Sequence, residues 1–317
     1  MSGRRYFLGV DGGGTKTEFV CIDGDDRIVA TAVTGTTYHL QVGIEATVVL
    51  IRQGVAAICS ELDITTHGLA HTFLGLPAFG EDAVIDPLLE RACGGILGHD
   101  RYDCGNDMIC GWAGSLGCED GINIVAGTGS IGYGERQGRA ARVGGWGEVF
   151  GDEGSAYWIA LRGLNAFTRM SDGRAAIGPL HQGFRRALGL SADIDICAMI
   201  MGERAMPRDD IAGLARIVSQ AAEEGDNAAL RILQQSGLEL ADMAGALRGA
   251  LGYERDQPAY LSWSGGVLTH QRVVRESLQR GLSAYGPFTL IEPRHSPGYG
   301  AALYARKLAS EREDLTA

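Results

Sequence analysis

The pattern of apolar positions at the start of the chain predicts strands first and then a helix. Three short runs of apolar, β-branched and aromatic residues lie between Tyr6 and Ala32, and a glycine–aspartate turn at 23–26 separates the second run from the third. This pattern is typical of a strand followed by a hairpin. From Gly43 to Leu62, apolar residues recur every three or four positions, which predicts one face of a helix.

Strands and helices alternate after this first helix. Apolar runs predict strands at 69–76 and 101–106, and segments with helical spacing predict helices at 81–92 and 108–116. Three strands followed by such an alternation predict an α/β fold, in which a mostly parallel sheet carries an antiparallel hairpin at one side.

The opening pattern then repeats. An apolar strand at 121–126 runs into Gly127-Thr128, and two further strands follow, as they do after Gly14-Thr15 in the first copy. One repeat of this kind indicates two related domains. We expect these domains at 1–117 and 118–317.

The second domain is longer than the first because it carries a helical insertion at about 154–251. After the insertion, the pattern predicts a strand at 259–263, a helix from Val267 and a last strand at 288–291. Ser296 and Pro297 have the residue types of a helix N-cap and first position, and they predict a final helix at about 297–309.

Composition excludes several classes of protein. The chain has 317 residues, 45% of them hydrophobic, and a net charge of −11. This charge disfavours a broad nucleic-acid or anionic-membrane surface. No run approaches the length of a membrane helix, and the apolar stretch before Asp11 is too short for a signal peptide, so we expect a cytoplasmic protein. The seven cysteines form no C-x-x-C pair, which favours reduced and mostly buried thiols.

Four glycine-rich turns each follow a predicted strand, and they carry the candidate chemistry. They are Gly12 to Gly14, Gly127 to Gly129, Gly144-Gly145 with Gly147, and Gly265-Gly266. Ligands of open α/β sheets bind at the carboxyl ends of strands. The first turn, D-G-G-G-T-K-T at 11–17, adds a carboxylate, a lysine and two hydroxyls, which suit a metal-bound polyphosphate. If the two sheets face each other, the first, second and fourth turns would line one cleft.

These motifs resemble those of the actin/sugar-kinase/Hsp70 ATPase superfamily. The stretch 11–17 resembles its first phosphate motif, G-T-G-S at 127–130 its second, and S-G-G at 264–266 its adenosine motif. Within that superfamily, the chain is most similar to the N-acetylglucosamine kinase branch of the BadF/BadG/BcrA/BcrD ATPase family. The stretch G-G-W-G-E-V-F-G-D-E-G-S-A-Y-W-I at 144–159 carries the most specific part of this resemblance.

The resemblance implies two RNase H-like, actin-like ATPase domains with a cleft between them, and a last helix that packs back on the first domain. It implies an ATP-dependent kinase that phosphorylates the 6-hydroxyl of N-acetylglucosamine or a related hexosamine, with Mg²⁺ as cofactor. A homodimer is also implied, with no nucleic-acid or membrane partner.

Residue roles follow from the same resemblance. Asp107 is the general base, although its position before a helix also fits an N-cap, and Asp11 reaches magnesium through water. The residues implied to bind the nucleotide are Gly13, Gly14, Thr15, Lys16, Thr17, Gly127, Thr128, Gly129, Ser264, Gly265 and Gly266. Those implied to bind the sugar are Tyr38, Asp107, Ser130, Gly145, Trp146, Gly147 and Asp152.

Two departures from the family pattern leave the preferred sugar open. Tyr38 stands where N-acetylglucosamine kinases usually carry an asparagine, and Ile131 stands where some relatives have a polar residue. Glucosamine, N-acetylglucosamine and N-acetylmuramic acid therefore all remain candidate substrates.

Three other classes of protein share some of these motifs. A kinase of the ROK family would carry a cysteine-rich zinc motif and E-N-D before its base, whereas this chain has Gly105-Asn106-Asp107. An ATPase activator of 2-hydroxyacyl-CoA dehydratases needs cluster-binding cysteines in its second half, where only Cys197 follows Cys118. An actin-like filament or Hsp70-like switch would have no use for the segment at 144–159.

Overall fold

The computed structural model describes residues 5–202 and 205–316, and the chain divides into two compact units. The first unit comprises the residues up to Asp120 and those from Ile291 onward, and the second is Gly121–Leu290. The boundary therefore lies a few residues after the predicted one, and residues 291–296 belong to the first unit. The reason is Arg294, which donates a hydrogen bond to the Leu116 carbonyl (3.1 Å) and pairs with Glu119 (2.7 Å).

The first unit contains a five-stranded mixed sheet in the order β3-β2-β1-β4-β5. The strands β1, β2 and β3 pair antiparallel, whereas β1, β4 and β5 pair parallel. The strands are β1 Tyr6–Gly12, β2 Lys16–Asp23, β3 Ile28–Gly35, β4 Leu69–Leu76 and β5 Tyr102–Asn106. The helices are α1 His39–Val42, α2 Ile44–Glu61, α3 Asp86–Leu97, α4 Met108–Leu116 and, at the end of the chain, α13 Pro297–Thr316, with a 3-10 turn at Thr66–Gly68.

Glycines let the last helix approach β1 and α4 closely. A Cβ atom at Gly9 of β1 would lie 2.1 Å from the backbone nitrogen of Ala302 in α13. A Cβ atom at Gly300 would lie 2.1 Å from the backbone nitrogen of Gly114 in α4. Any larger residue at these positions would force the helix away from the sheet. The last helix thus packs on the first unit.

The second unit contains another five-stranded mixed sheet, in the order β10-β9-β6-β7-β8. Its strands are β6 Gly121–Ala126, β7 Ser130–Arg136, β8 Arg139–Gly144, β9 Ala259–Ser264 and β10 Phe288–Leu290. Its helices are α5 Ala156–Ser171, α6 Pro179–Leu188, α7 Asp195–Met201, α8 Arg208–Gly213, α9 Ala215–Glu223, α10 Asn227–Ala250, α11 Gly266–His270 and α12 Arg272–Leu282. Two such sheets with flanking helices confirm the predicted fold class.

The insertion shares one hydrophobic core with the second sheet. Buried side chains of α5, α6 and α10, such as Phe167, Phe184 and Leu240, belong to the same cluster as Ile124 of β6 and Leu261 of β9. Because the apolar stripe of α10 is buried along its whole length, the helix spacing that the sequence shows there has a direct structural cause.

The helix predicted at 81–92 begins later than expected. Asp82 accepts hydrogen bonds from the backbone N–H groups of Val84 (2.8 Å) and Ile85 (3.1 Å), which form a turn before α3. Such side-chain bonds compete with helix formation. Pro87 then occupies the first turn of α3, where its missing N–H costs nothing.

In the described ranges, no helix is long and apolar enough to cross a membrane. All seven cysteines are free thiols; four are buried, and Cys197 is exposed.

Candidate functional site

The first glycine turn joins β1 to β2 and is open on its outer side. The Gly13 N–H donates to the Lys16 carbonyl (2.8 Å), which closes a tight hairpin. A Cβ atom at Gly14 would meet no described atom within 4 Å. Thr15 is exposed beside it. The turn therefore leaves room for a ligand against its backbone, as a phosphate-binding turn requires.

The hydroxyls around this turn hold the segment that follows β3. The Thr17 hydroxyl is fully buried, lies 3.0 Å from the Thr37 hydroxyl and accepts from the Thr37 N–H. The Thr36 hydroxyl donates to the Gly13 carbonyl (2.7 Å). Thr17 was predicted at the nucleotide, but its side chain lies inside the unit and anchors Thr37. Tyr38, a predicted sugar residue, comes directly after this anchor.

Lys16 extends from the same turn into solvent. Its side chain is 61% exposed and forms an ion pair with Glu18, which raises the pKa of the lysine. Lys16 is thus an exposed hairpin lysine, and its ammonium group lies at the edge of the turn.

Two carboxylates at the carboxyl end of the first sheet interact through their charges. Asp11 is the second-to-last residue of β1, and Asp107 directly follows β5. Burial, together with the negative charges of Asp107 and Glu18, raises the pKa of Asp11 to about 7. A hydrogen bond with the buried Cys110 thiol opposes this shift. Two acids whose negative charges act on each other in a buried site favour binding of a cation or sharing of a proton.

Asn106 caps the start of helix α4, a role that the sequence also allowed for Asp107. Its side-chain oxygen accepts from the Met108 N–H (3.1 Å), and its amide donates to the Phe79 carbonyl (3.1 Å). Within the described chain, the Asp107 side chain makes no capping hydrogen bond to α4. The sequence analysis gave Asn106 no role, although asparagine just before a helix is a preferred capping residue.

The second glycine turn joins β6 to β7 and holds a carboxylate behind it. The Gly127 N–H donates to the Gly129 carbonyl (2.9 Å). The Ser130 hydroxyl donates to the Glu153 carbonyl (2.7 Å), and the Ser130 N–H donates to Asp152 (3.3 Å). Asp152 is 4% exposed and has a φ of 56°, a conformation that non-glycine residues rarely adopt. Ser130 and Asp152, both predicted sugar residues, therefore lie together.

Two arginines hold the segment 144–153 in which Asp152 lies. Arg142 of β8 donates to the Gly145 carbonyl (2.5 Å) at the start of this segment. Arg208 of α8 donates to Asp152 (2.6 Å) and lies 3.3 Å from a carboxylate oxygen of Glu148. The sequence analysis missed both arginines, because no local pattern links them to the segment.

The same segment exposes apolar side chains. Trp146, Val149 and Phe150 are 73%, 85% and 76% exposed. Gly145 and Gly147, two further predicted sugar residues, have φ values of 69° and 86°, which glycine adopts without strain. Three exposed large apolar residues in one ten-residue stretch are unusual for a solvent-facing loop and are typical of a binding surface.

A cavity of about 550 Å³ lies in the second unit beside the second turn. Gly127, Thr128 and Gly266 line it, so the structure brings the second phosphate motif and the adenosine motif together. The other lining residues are Ala156, Ile159, Asp209, Ala212, Gly213, Ala215, Arg216, Ser219, Val267, His270 and Gln271. Residues 209–219 belong to the insertion, and the sequence offered no motif that would assign them to a site.

Gly265 makes the approach of these two motifs possible. It has a φ of 93°, and a Cβ atom there would lie 2.4 Å from the Ala126 carbonyl oxygen. Ser264, just before it, accepts a hydrogen bond from the Asn123 side chain (3.2 Å). Strands β6 and β9 are thus joined at the points where both glycine motifs begin. The cavity of about 550 Å³ beside them has the size of a small-molecule site.

Each unit therefore contains part of the predicted set of site residues. The first unit holds the carboxylate pair, the first turn and Tyr38. The second unit holds the second turn, the segment 144–153, the adenosine motif and the cavity.

The residues present could support magnesium only together with a ligand. Among residues 5–202 and 205–316, no group of three histidine, cysteine, aspartate or glutamate side chains could hold a metal. The carboxylate pair of Asp11 and Asp107 would still gain from a cation, because Asp11 has a raised pKa partly owing to Asp107. Magnesium commonly binds one or two carboxylates and fills its remaining positions with water and phosphate oxygens. The pair fits such a site.

Comparison with known proteins extends over almost the whole chain. An N-acetylmuramic acid/N-acetylglucosamine kinase from Clostridium acetobutylicum is 27% identical over 95% of this chain and 98% of its own length. An N-acetyl-D-glucosamine kinase from Dictyostelium discoideum is also 27% identical, with the same coverage.

Solved structures of other proteins are also similar to this chain. A protein from Chromobacterium violaceum, provisionally assigned as an N-acetylglucosamine kinase, is 26% identical, with a TM-score of 0.71 over 95% of this chain and 99% of that one. A ROK family glucokinase from Streptomyces griseus shares the fold at 19% identity, with a TM-score of 0.55 over 95% and 99% of the two chains. The family model of the BadF/BadG/BcrA/BcrD ATPases matches residues 8–305, and the chain therefore belongs to the BadF/BadG/BcrA/BcrD ATPase family.

Proposed function

We propose that this chain is an ATP-dependent amino-sugar kinase that transfers the γ-phosphate of ATP to the 6-hydroxyl of N-acetylglucosamine or a related hexosamine. The names of its relatives support the substrate class. The observation that carries the proposal is the pair of carboxylates at the carboxyl end of the first sheet, where the charge of Asp107 contributes to the raised pKa of Asp11.

The proposed reaction needs two carboxylates with different roles. Asp107 accepts the proton of the attacking sugar hydroxyl, as a general base does when its oxygen lies within hydrogen-bond reach. Asp11 would hold magnesium, through water, and magnesium would supply charge compensation for the phosphates of ATP. Because phosphoryl transfer requires mainly positioning and charge stabilisation, these few groups are sufficient.

The glycine turns provide the phosphate contacts in this proposal. Gly14 and Thr15 present an open backbone edge in the first unit, and Gly127 and Thr128 line the cavity of the second. Backbone N–H groups in such turns bind anions without a side chain in the way. The nucleoside would occupy the cavity beside Gly266.

The sugar would bind through the segment 144–153 and Asp152. The buried Asp152 carboxylate accepts one hydrogen bond at each oxygen from the protein, so each oxygen retains a lone pair for a sugar hydroxyl. Tyr38 and Ile131 are the positions at which this chain departs from the family pattern. These departures leave the preferred sugar open. We propose N-acetylglucosamine first because the names of both relatives include it, and we keep glucosamine and N-acetylmuramic acid as alternatives. Cytoplasmic location and a homodimer remain further proposals.

Replacement of the proposed base tests the function. Asp107→Asn keeps the size of the side chain and removes its basicity, and we expect kcat to fall by about 10²–10⁴-fold. Asp63→Asn is a matched control, because Asp63 has a φ of 52°, which asparagine tolerates well. The control should retain wild-type kcat. A variant Asp107→Asn with near wild-type kcat would show that Asp107 is not the base.

A further inference from the structure

Arg208 stands out because it joins the helical insertion to the segment that carries Asp152. Its guanidinium donates to an Asp152 oxygen at 2.6 Å, and its Nε atom lies 3.3 Å from a Glu148 oxygen. One arginine thus engages two acids that flank the exposed residues Val149 and Phe150. The arginine side chain is only 32% exposed, so these contacts are partly shielded from solvent.

Arg208 also lies against the second glycine turn. A Cβ atom at Gly129 would lie 2.7 Å from an Nη atom of Arg208 and 2.9 Å from both Asp152 oxygens. The guanidinium and the carboxylate therefore fill the space above Gly129, which only glycine leaves open. The positions of the turn, the carboxylate and the arginine are coupled by direct contact.

The charge balance favours a positioning role over a phosphate contact. The guanidinium lies between two carboxylates, so the cluster of Arg208, Asp152 and Glu148 carries a net negative charge. A phosphate would be repelled by this cluster, whereas the neutral hydroxyl groups of a sugar would be attracted to it. Asp152 also adopts a strained φ of 56°, and its two protein hydrogen bonds hold it there.

We propose that Arg208 is a positioning residue that orients Asp152 for the sugar and so sets the affinity and selectivity for the hexosamine. This inference rests on the proposed function, because it requires Asp152 to bind the sugar. Arg208 anchors one oxygen of Asp152, the Ser130 N–H anchors the other, and the remaining lone pairs point to fixed directions. A ligand hydroxyl in the correct position is then bound without reorganisation of the carboxylate.

Steady-state kinetics of Arg208→Ala and Arg208→Lys test this role. Loss of a hydrogen bond to a charged group should raise KM for the hexosamine on the order of 10- to 100-fold in Arg208→Ala. KM for ATP should change by less than about threefold, since no nucleotide contact is lost. Arg208→Lys keeps the charge but not the fork-shaped donor set, and it should restore part of the sugar affinity.

The matched control is Arg174→Ala. Arg174 also pairs with an aspartate, Asp172, at 2.5 Å in the same unit, but it touches no predicted site residue. The control should leave KM for the sugar unchanged. Thermal unfolding of each variant shows whether it is folded, and Arg208→Lys provides a second folded variant if Arg208→Ala is not.

Hydrogen exchange separates this inference from the proposed function. In the protein without substrate, Arg208→Ala should speed exchange of the amides in 144–153 and of Ser130, and Arg174→Ala should not. An unchanged sugar KM in a folded Arg208→Ala protein, or a rise in KM for ATP alone, would overturn the inference while the kinase function stands. If wild-type protein phosphorylates no hexosamine, the proposed function fails, and with it the sugar-binding role. Faster exchange would then leave only a structural clamp.

Discussion

The two units use one structural device and place different chemistry on it. In the first, the buried Thr17 hydroxyl at the start of β2 binds Thr37, in the segment after β3. In the second, the Ser130 hydroxyl at the start of β7 binds the Glu153 carbonyl, in the segment after β8. Each sheet thus fixes its glycine turn and a following loop with one hydroxyl.

The difference lies in the strand that precedes each turn. Thr17 pairs with Gly12 in the first sheet and Ser130 pairs with Ala126 in the second, so Asp11 and Val125 occupy equivalent positions. The first sheet therefore delivers a carboxylate, and the second delivers an apolar side chain. Under the proposed function, such changes would give the first unit the metal-binding and proton-accepting carboxylates and the second unit Asp152 and the nucleoside cavity, with phosphate contacts from the turns of both units.

The strongest test of this division is Asp11→Asn beside Val125→Ala. We expect Asp11→Asn to lower kcat by about 10²–10³-fold, since the charge proposed to hold magnesium is lost. Val125→Ala should change kcat by less than about threefold, because no ligand contact is assigned to it. Equal losses in kinase assays would contradict the division between the units.

The glycines of the two turns should respond differently to a methyl group. Gly129→Ala would push a Cβ atom against Arg208 and Asp152, and we expect KM for the sugar to rise about tenfold. Gly14→Ala meets no described atom, so it should leave thermal stability unchanged and raise KM for ATP instead. A change in KM for the same substrate in both variants would contradict the assignment of the two glycines to different substrates.

The two anchoring hydroxyls should contribute similarly to stability. Ser130→Ala and Thr17→Val each leave a buried polar partner without its hydrogen bond, and each should lower the free energy of unfolding by about 1–3 kcal/mol. Urea denaturation measures this effect. Ser130→Ala should also raise KM for the sugar several-fold. A stability loss in only one of the two variants would show that the anchors are not equivalent.

The smallest expected effect is a pH-dependent gain of stability in Asp11→Asn. The pKa of Asp11 is raised to about 7 in the folded protein, so the folded state holds its proton more tightly than the unfolded state does. Wild-type stability therefore falls as the pH rises from about 4 to about 7. Asn cannot ionise, and the variant should melt at least about 2 °C higher than wild type at pH 8, without magnesium.

The gain of Asp11→Asn should become small as the pH falls towards 4, because Asp11 is then protonated in the folded protein and about half protonated in the unfolded chain. Melting curves of the two proteins at pH 4, 6 and 8 measure it. A constant difference at all three values would mean that Asp11 does not titrate in this range.

The fold could be predicted from sequence because its signals are local. The apolar runs of β1 and β6 and the glycine turns after them have a clear pattern, and α10 has a strict helical spacing. The predicted start of α3 was wrong, because the turn at Asp82 competes with the helix. The periodicity of apolar residues does not show such a turn.

The site was harder to predict, because part of it depends on contacts between distant residues. Arg208 lies 56 positions from Asp152 and belongs to an insertion whose pattern only indicates helices. Thr17 was assigned to the nucleotide, although alternation along β2 already favours an inward side chain beside the half-buried Glu18. Motif letters identify a turn, but they do not give the direction of each side chain.

The central claim is that this protein transfers a phosphate group from ATP to a free hexosamine. The most direct measurement of this reaction is NMR of the products. Wild-type protein is incubated with ATP, magnesium and N-acetylglucosamine, glucosamine or N-acetylmuramic acid. We predict a new phosphate monoester signal coupled to the C6 protons of at least one sugar, with one ADP formed for each. ADP formed without a phosphosugar, or a sugar phosphorylated at another hydroxyl, would contradict the account.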